Sequence, residues 1–374
     1  MNWSIKLGRL FGINIQVHLT FFLILIWGAF SYGGSAGPLY GLLVTLALFS
    51  LVLLHELGHS LAAMGYGIRV RDITLLPIGG VARLERMPEK PVQELVVALA
   101  GPAVNVILAL VLLPLVLGLG VARGASLSLT AWSQPGALGL LTFLLSANLS
   151  LAVFNMIPAF PMDGGRVLRA LLGLATDYTQ ATRLAVQVGR VMAVGLGVVG
   201  VASGQVMLAF IALFIFTASG QEGRAAEVRN LLRGVRAEQA LARNRVALSP
   251  YATVGQAASM AMGNSQPDFA VLDPDSHQFL GVVHRGDVTR AVEHNQWYRR
   301  LAEMMQPARL VPAVTLNTPL SEVEEKLAQA SSRVAAVYDG PFFRGLISRE
   351  DVYRALRFLA RGAAPQRPAS SISG

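Results

Sequence analysis

The stretch His55-Glu56-Leu57-Gly58-His59 has the residue types and spacing of a hydrolytic metal site. On a helix, positions i and i+4 share a face, so both imidazoles can reach one ion while the adjacent Glu56 acts on a water held there. Zinc suits this set: it accepts histidine nitrogen, polarises a carbonyl and lowers the pKa of a bound water to about 7. Glu56 would then take the water's proton and pass it to a leaving amine. A chance occurrence on a solvated helix is the competing explanation, and the surroundings oppose it. The motif falls late in a long apolar segment, where two histidines and a glutamate are costly and function is the default account of them.

Two histidines leave a catalytic zinc one protein ligand short. The chain has no cysteine, which excludes thiolates, disulfides and thiol nucleophiles, so the missing ligand must be His, Asp or Glu. In the apolar half the other histidine is His18, at the interfacial start of a hydrophobic segment, where a polar anchor explains it. Asp72, Glu85 and Glu89 belong to a polar loop, and Asp177 to a turn. Asp163 is different, because it closes an apolar segment in Asn155-Met-Ile-Pro158-Ala-Phe-Pro161-Met-Asp163-Gly164-Gly165-Arg166. Two prolines break the helix before it and two glycines follow, a pattern that makes backbone irregular at membrane depth around a site. In a soluble protein the same Asp-Gly-Gly would read as a turn.

The elements that must position these residues lie in a membrane. Of the 374 residues 53% are hydrophobic and 14% charged, well outside soluble usage, and the long uncharged runs crowd the first 220 or so. A span needs about 20 mostly apolar residues, and six candidates run near Val17–Ser31, Leu39–Ala63, Leu95–Leu119, Leu138–Ile157, Ala185–Ala202 and Val206–Ser219, the last two as a helical hairpin. Arg69, Arg71, Arg83, Arg86 and Lys90 lie between the second and third, and Arg166, Arg169 and Arg183 between the fourth and fifth. The loop after the first has no basic residue and that after the third only Arg123. Cytoplasmic loops retain Lys and Arg, so both termini are expected in the cytoplasm. The net charge of +9 is spread beside apolar segments rather than gathered in one stripe, which argues for membrane anchoring and against nucleic acid.

With both motifs in view, the chain resembles the site-2 proteases, the intramembrane zinc metalloprotease family. Its pattern of a His-Glu-x-x-His helix plus a distant Asn-x-x-Pro…Asp-Gly segment is met by His55, Glu56, His59, Asn155, Pro158, Asp163 and Gly164, and Gly101-Pro102-Ala-Val-Asn105 resembles a further core motif. The resemblance covers roughly Ser4 to Gly223. It implies Asp163 as third ligand, Glu56 as catalytic base and water as fourth ligand, with a single-span membrane protein as substrate, such as an anti-sigma factor or a signal-peptide remnant. Asn155 and Asn105 are either interhelical hydrogen-bonding residues or groups that bind substrate backbone or an oxyanion; the helix break beside Asn155 favours the site. Residues 69–83 alternate and turn like a hairpin just after the zinc helix, and a strand edge there could capture an unwound substrate by β-augmentation.

From about Leu248 the composition is that of a soluble α/β domain built twice. Val254–Met262 and Leu320–Ala328 are helix-like, and each precedes a β-rich run closing in Gly281-Val-Val-His-Arg-Gly-Asp287-Val or Gly345-Leu-Ile-Ser-Arg-Glu-Asp351-Val, 64 residues apart. The repeat resembles a tandem pair of cystathionine-β-synthase (CBS) domains, regulatory modules that often bind adenine nucleotides. Ser348 and Asp351 match that family's ribose- and phosphate-holding positions. In the first copy Asp287 is kept, but His284 replaces the hydroxyl residue. The expected organisation is a protease domain over 1–223, a linker over 224–246, CBS copies over 247–305 and 306–361, and a disordered tail over 362–374. ATP, ADP or AMP binding at the pair, and dimerisation through it, are expectations of the same resemblance. A CBS-regulated transporter or channel is the rival from another class; it explains the helices and the tail but not the zinc motif.

Overall fold

The computed structural model describes residues 3–85, 88, 90–122, 135–241, 246–264 and 266–360. Arg86, Glu89, Arg123 and the expected disordered tail lie outside the described residues. The chain divides into two compact units, Met1–Arg224 and Ala225–Gly374.

The first unit opens with two strands that hydropathy alone conceals. β1 (Ser4–Leu10) pairs antiparallel with β2 (Ile13–His18). In β2, Ile13, Ile15 and Val17 are buried while the residues between them are less so, the period-2 pattern of a strand with one covered face. The first expected span therefore begins too early, since Val17 and His18 belong to β2 and the helix α1 covers only Phe21–Ser31. Eleven residues rise about 16 Å, half of what a hydrocarbon core requires. Among the described residues, five helices are long and apolar enough to cross a membrane: α2 (Pro38–Gly65), α3 (Pro91–Ala122), α4 (Ala137–Asn155), α6 (Tyr178–Ala202) and α7 (Val206–Arg233). Between α4 and α6 lies the shorter α5 (Asp163–Gly173). The protein is a multi-pass membrane protein.

The expected hairpin after the zinc motif forms β3 (Val70–Leu76) and β4 (Gly79–Leu84). It joins the N-terminal strands in a four-stranded sheet of order β1-β2-β3-β4, with β2 and β3 parallel and both other pairs antiparallel. Ile13, Ile15 and Ile73 from this sheet bury against Leu57 of α2, which seats the sheet on the helix carrying the zinc motif. The hairpin of α6 and α7 forms as expected. Gly200 and Gly197 of α6 lie against Ala209 and Ala212 of α7, and small residues let two helices approach this closely.

The second unit holds two β-α-β-β-α copies. The first runs β5 (Ala247–Leu248), α9 (Val254–Met262), β6 (Asp268–Leu272), β7 (Phe279–His284) and α10 (Arg285–Glu293), and β8 (Gln306–Pro307) adds to the edge of its sheet. The second runs β9 (Ala313–Thr315), α11 (Leu320–Gln329), β10 (Val334–Asp339), β11 (Phe342–Ser348) and α12 (Arg349–Ala360). The helix expected at the start of each repeat is present in both copies. Leu232, Val235 and Ala237, from the end of α7 and the start of the short α8 (Ala237–Ala240), complete the core of the second copy.

Candidate metal centre

His55 and His59 stand one turn apart on α2, and Asp163 is the first residue of α5. The fold brings all three together in a buried position. His55 Nε2 and Asp163 Oδ2 are 3.1 Å apart, His59 Nε2 and Asp163 Oδ2 3.0 Å, and the two Nε2 atoms 3.1 Å. His59 Nδ1 lies 2.7 Å from the carbonyl oxygen of Val97 on α3. A carbonyl only accepts, so Nδ1 carries the proton and donates it, leaving a lone pair on Nε2. That lone pair faces a carboxylate oxygen. Two acceptors at this distance repel unless a cation or a shared proton stands between them, which makes the cluster a fit for a metal ion. Zinc holding nitrogen and oxygen at about 2.0–2.1 Å in a tetrahedron sets its ligand atoms about 3.3 Å apart, a small expansion of what is found. His55 Nδ1 is buried without a hydrogen-bond partner in the described structure.

Glycines make the assembly possible. A Cβ built on Gly101 of α3 would collide with both imidazole rings, and one on Gly58 would sit 2.8 Å from the carbonyl oxygen of Ala100. The α2–α3 crossing over the site therefore depends on small residues at both positions. Gly164 and Gly165 play a part different from the expected one: neither has positive φ, and both lie in the first turn of α5. Gly164 packs on the carbonyls of Met156 and Ile157, and Gly165 on the backbone of Ala159 and Phe160. Close approach of α5 to the broken segment, rather than an irregular loop, is what these glycines supply.

Glu56 falls on the neighbouring face of α2 and is not one of the three converging groups. It faces the sheet. A Cβ on Gly80 at the start of β4 would lie 2.5 Å from Glu56 Cγ, so only glycine lets this edge strand pass the carboxylate so closely. Asn105 is fully buried on α3, one turn beyond Gly101, and both its side-chain polar atoms lack a partner. Its main-chain oxygen accepts from Asn148 Nδ2 of α4 at 2.7 Å. Asn155 ends α4, part-buried, eight residues before Asp163.

One of the loop cations stands otherwise than the sequence suggests. Arg169, counted among the loop cations that set orientation, is a buried ion-pair residue: it bonds Glu94 and, at 2.7 Å, Glu222. Carboxylates more than fifty residues away in the chain neutralise it, which no local pattern reveals. A hint existed in Glu94, an acidic residue at the head of a long uncharged run. In the second unit, Ser348 and Asp351 bond to each other: the Ser348 amide and Oγ donate to Asp351 Oδ2 at 2.8 and 2.7 Å, and the Asp351 amide donates to Ser348 Oγ at 3.3 Å. That is a capping box at the head of α12. In the first copy His284 turns instead to Asp268, with Nδ1 and Oδ1 2.6 Å apart, and Asp287 pairs with Arg290. Asp268 holds the His284 pKa above its ordinary value through this hydrogen bond, against the lowering effect of burial.

Comparison with known proteins agrees with the geometry. Peptidase family M50 matches over residues 43–134 and 120–196. A protein described as zinc metalloprotease MJ0392, from Methanocaldococcus jannaschii, is 31% identical over 363 residues, covering 96% of this chain and 98% of that one. Stage IV sporulation protein FB of Bacillus subtilis is 29% identical over 175 residues, 46% of this chain and 52% of its own. Among solved structures, the site-2 protease from M. jannaschii is 35% identical, with 59% of this chain and 95% of that one covered and a TM-score of 0.42. The CBS domain of a bacterial CNNM/CorC-family Mg2+ transporter in complex with ATP is 18% identical over 37% of this chain and 97% of that one, with a TM-score of 0.32. With that likeness to the archaeal enzyme along nearly the whole of both chains, and the M50 match spanning the helices that converge on the site, the protein belongs to peptidase family M50, the zinc metalloproteases.

Proposed function

We propose that this chain cuts membrane-spanning proteins within or beside the bilayer, with His55, His59 and Asp163 holding one zinc ion and Glu56 as the general base. The observation that carries the assignment is the convergence of three buried ligand atoms, two of them on a helix long enough to cross a membrane. A zinc ion held by these three residues would supply a polarised scissile carbonyl and an acidified water. Glu56 takes the proton of that water and delivers it to the leaving amine. Asn155, at the helix break, holds the substrate backbone or the developing oxyanion. Asn105, fully buried one turn beyond Gly101 with both amide atoms unpartnered, is proposed as a second group for that role.

A helical substrate hides its carbonyls in i→i−4 bonds, so it must unwind before it can be cut. The edge of β4, whose Gly80 touches Glu56, is where the unwound strand would add to the sheet. The transporter reading leaves the His-Glu-x-x-His motif and its meeting with Asp163 unexplained. The substrate proposed is a single-span membrane protein of the anti-sigma-factor or signal-peptide-remnant kind, with both termini and the second unit in the cytoplasm. The second unit is proposed as a CBS pair, with its copies over 247–305 and 306–361, that joins two chains and takes ATP, ADP or AMP near Ser348, Asp351 and Asp287. The capping box means a nucleotide must compete for Ser348 and Asp351. Glu56→Gln is expected to keep zinc and lose hydrolysis, while Asp163→Ala and His59→Ala lose both. Zinc content and cleavage of a membrane substrate, measured on the same preparations, decide it; normal cleavage by Glu56→Gln would remove Glu56 from the mechanism.

A further inference from the structure

Asp163 is held in place by contacts on both sides of it in the chain. Six residues on along α5, Arg169 is 2% exposed, with its guanidinium carbon 5.0 Å from the Phe160 ring and 4.9 Å from the Tyr178 ring. Its Nε donates to Glu94 Oε1 of α3 at 2.8 Å, Nη2 donates to the same oxygen, and Nη1 donates to Glu222 Oε1 of α7 at 2.7 Å. Three residues before Asp163, the carbonyl oxygen of Phe160 accepts from Ser219 Oγ of α7 at 2.9 Å. Ser219 and Glu222 are one turn apart on α7 and so share a face. Glu94 and Val97 are likewise one turn apart on α3, and Val97 is the residue whose carbonyl orients His59. The two elements that bring ligands to the cluster are thus fastened to the same turn of α3.

Charge balance separates the two carboxylates. Glu94 is buried and is sufficient to neutralise a buried arginine, whose isolated charge would be strongly destabilising. Glu222 has a side chain 38% exposed, so a second carboxylate is not required for neutrality. What it adds is direction, because it fixes the remaining guanidinium nitrogen to α7.

We infer that Arg169 is a positioning residue of the metal centre, which through Glu94 sets α5 and Asp163 against the turn of α3 that orients His59, and through Glu222 makes that placement depend on α7. The inference rests on His55, His59 and Asp163 being the ligands, and its test separates the two claims. Full-length protein in detergent is stripped of metal and titrated with Co2+, whose visible absorption reports ligand geometry, and with Zn2+ against a chromophoric chelator; melting temperatures are taken alongside. Glu222→Gln and Arg169→Lys are expected to weaken metal binding by about 10–100-fold, the range for partners that orient ligands, and to shift the Co2+ bands well below the melting temperature. Glu222→Gln changes one half-exposed group and carries the test if Arg169→Lys does not fold. Bands and affinity equal to wild type in a folded Glu222→Gln protein, even one of lower melting temperature, overturn the inference and leave the network a purely structural role. Absence of Co2+ binding by the wild type, or Asp163→Ala binding as tightly, overturns the ligand assignment instead.

Discussion

Replacing Gly101 by alanine sets two effects of opposite sign against each other. Alanine is the better helix former by about 1 kcal/mol, and position 101 lies inside a 32-residue helix, so propensity alone predicts a slightly more stable protein. The new methyl carbon, however, would fall 2.6 Å from His59 Cε1 and 2.8 Å from His55 Cε1. Carbon atoms settle about 3.5–4.0 Å apart, so the rings or the helix must yield by about 1 Å. Metal–ligand distances tolerate about 0.2 Å, and a misplacement of about 1 Å at a reacting centre costs about 100-fold in rate. Gly101→Ala should therefore lower zinc occupancy and reduce cleavage by at least about 100-fold, and the metal-free protein should melt below the wild-type temperature, because overpacking costs about 1–3 kcal/mol, more than propensity returns. Zinc content, cleavage and thermal unfolding on one preparation read all three. Full zinc stoichiometry with wild-type cleavage would refute the close α3–imidazole packing and with it the placement of the site.

Orientation is checked on this cysteine-free chain by single cysteines: Ala36→Cys should react with an impermeant thiol reagent only from outside, and Lys90→Cys only from the cytoplasm. Labelling of the opposite pair inverts the topology. His284 has its pKa raised by Asp268, so the stabilisation from this pair is complete below the unfolded pKa of about 6.5 and fades as pH rises through the higher folded value. Hydrogen exchange in the 268–284 hairpin, corrected for intrinsic rates, should grow faster from pH 6 to 8 in the wild type than in His284→Ala; parallel profiles would deny the coupling. Ser348→Ala removes the cap of α12 and should cost about 0.5–2 kcal/mol in chemical denaturation. Titration of ATP, ADP and AMP, with Asp351→Ala as control, asks whether the same pair serves a nucleotide. No binding at millimolar concentration, or binding that leaves cleavage unchanged, would leave the second unit a scaffolding role; a ligand shifts a population only if it prefers one state.

Local periodicity made much of this chain legible. Twenty-residue apolar runs show as helices because a bilayer demands that length, and the His-Glu-x-x-His spacing shows as a shared face because helices repeat every 3.6 residues. The β3–β4 hairpin was visible as alternation closed by Gly79 and Gly80, and the two α/β copies by their likeness to each other, with closing motifs 64 residues apart. The N-terminal strands were not. Ile13, Ile15 and Val17 alternate over only six residues and run straight into the apolar Phe21–Ser31, so a hydropathy window merges a strand with a helix. The edge strand β1 added little signal, since its apolar residues Ile5, Leu7 and Leu10 are exposed and bury no face.

Asp163 shows where reading along the chain reaches its limit. It stands 104 residues from His59 and 108 from His55, and its sequence signature, prolines before and glycines after, marks a site without saying what meets there. The meeting is made by contacts that leave almost no local trace. Gly164 and Gly165 admit the backbone of residues 156–160, Val97 turns His59, and Arg169 spans two carboxylates that are 75 and 53 residues away. Counting loop cations classes Arg169 with Arg166 and Arg183, because an arginine near a membrane is equally consistent with an exposed flank and a buried pair. Only its partners distinguish the two, and partners belong to the tertiary structure. The distinction has a functional edge: an exposed Arg169 could be replaced with little effect on the metal centre, whereas a buried one, bonded to Glu94 on the turn of α3 that also carries the residue orienting His59, cannot be.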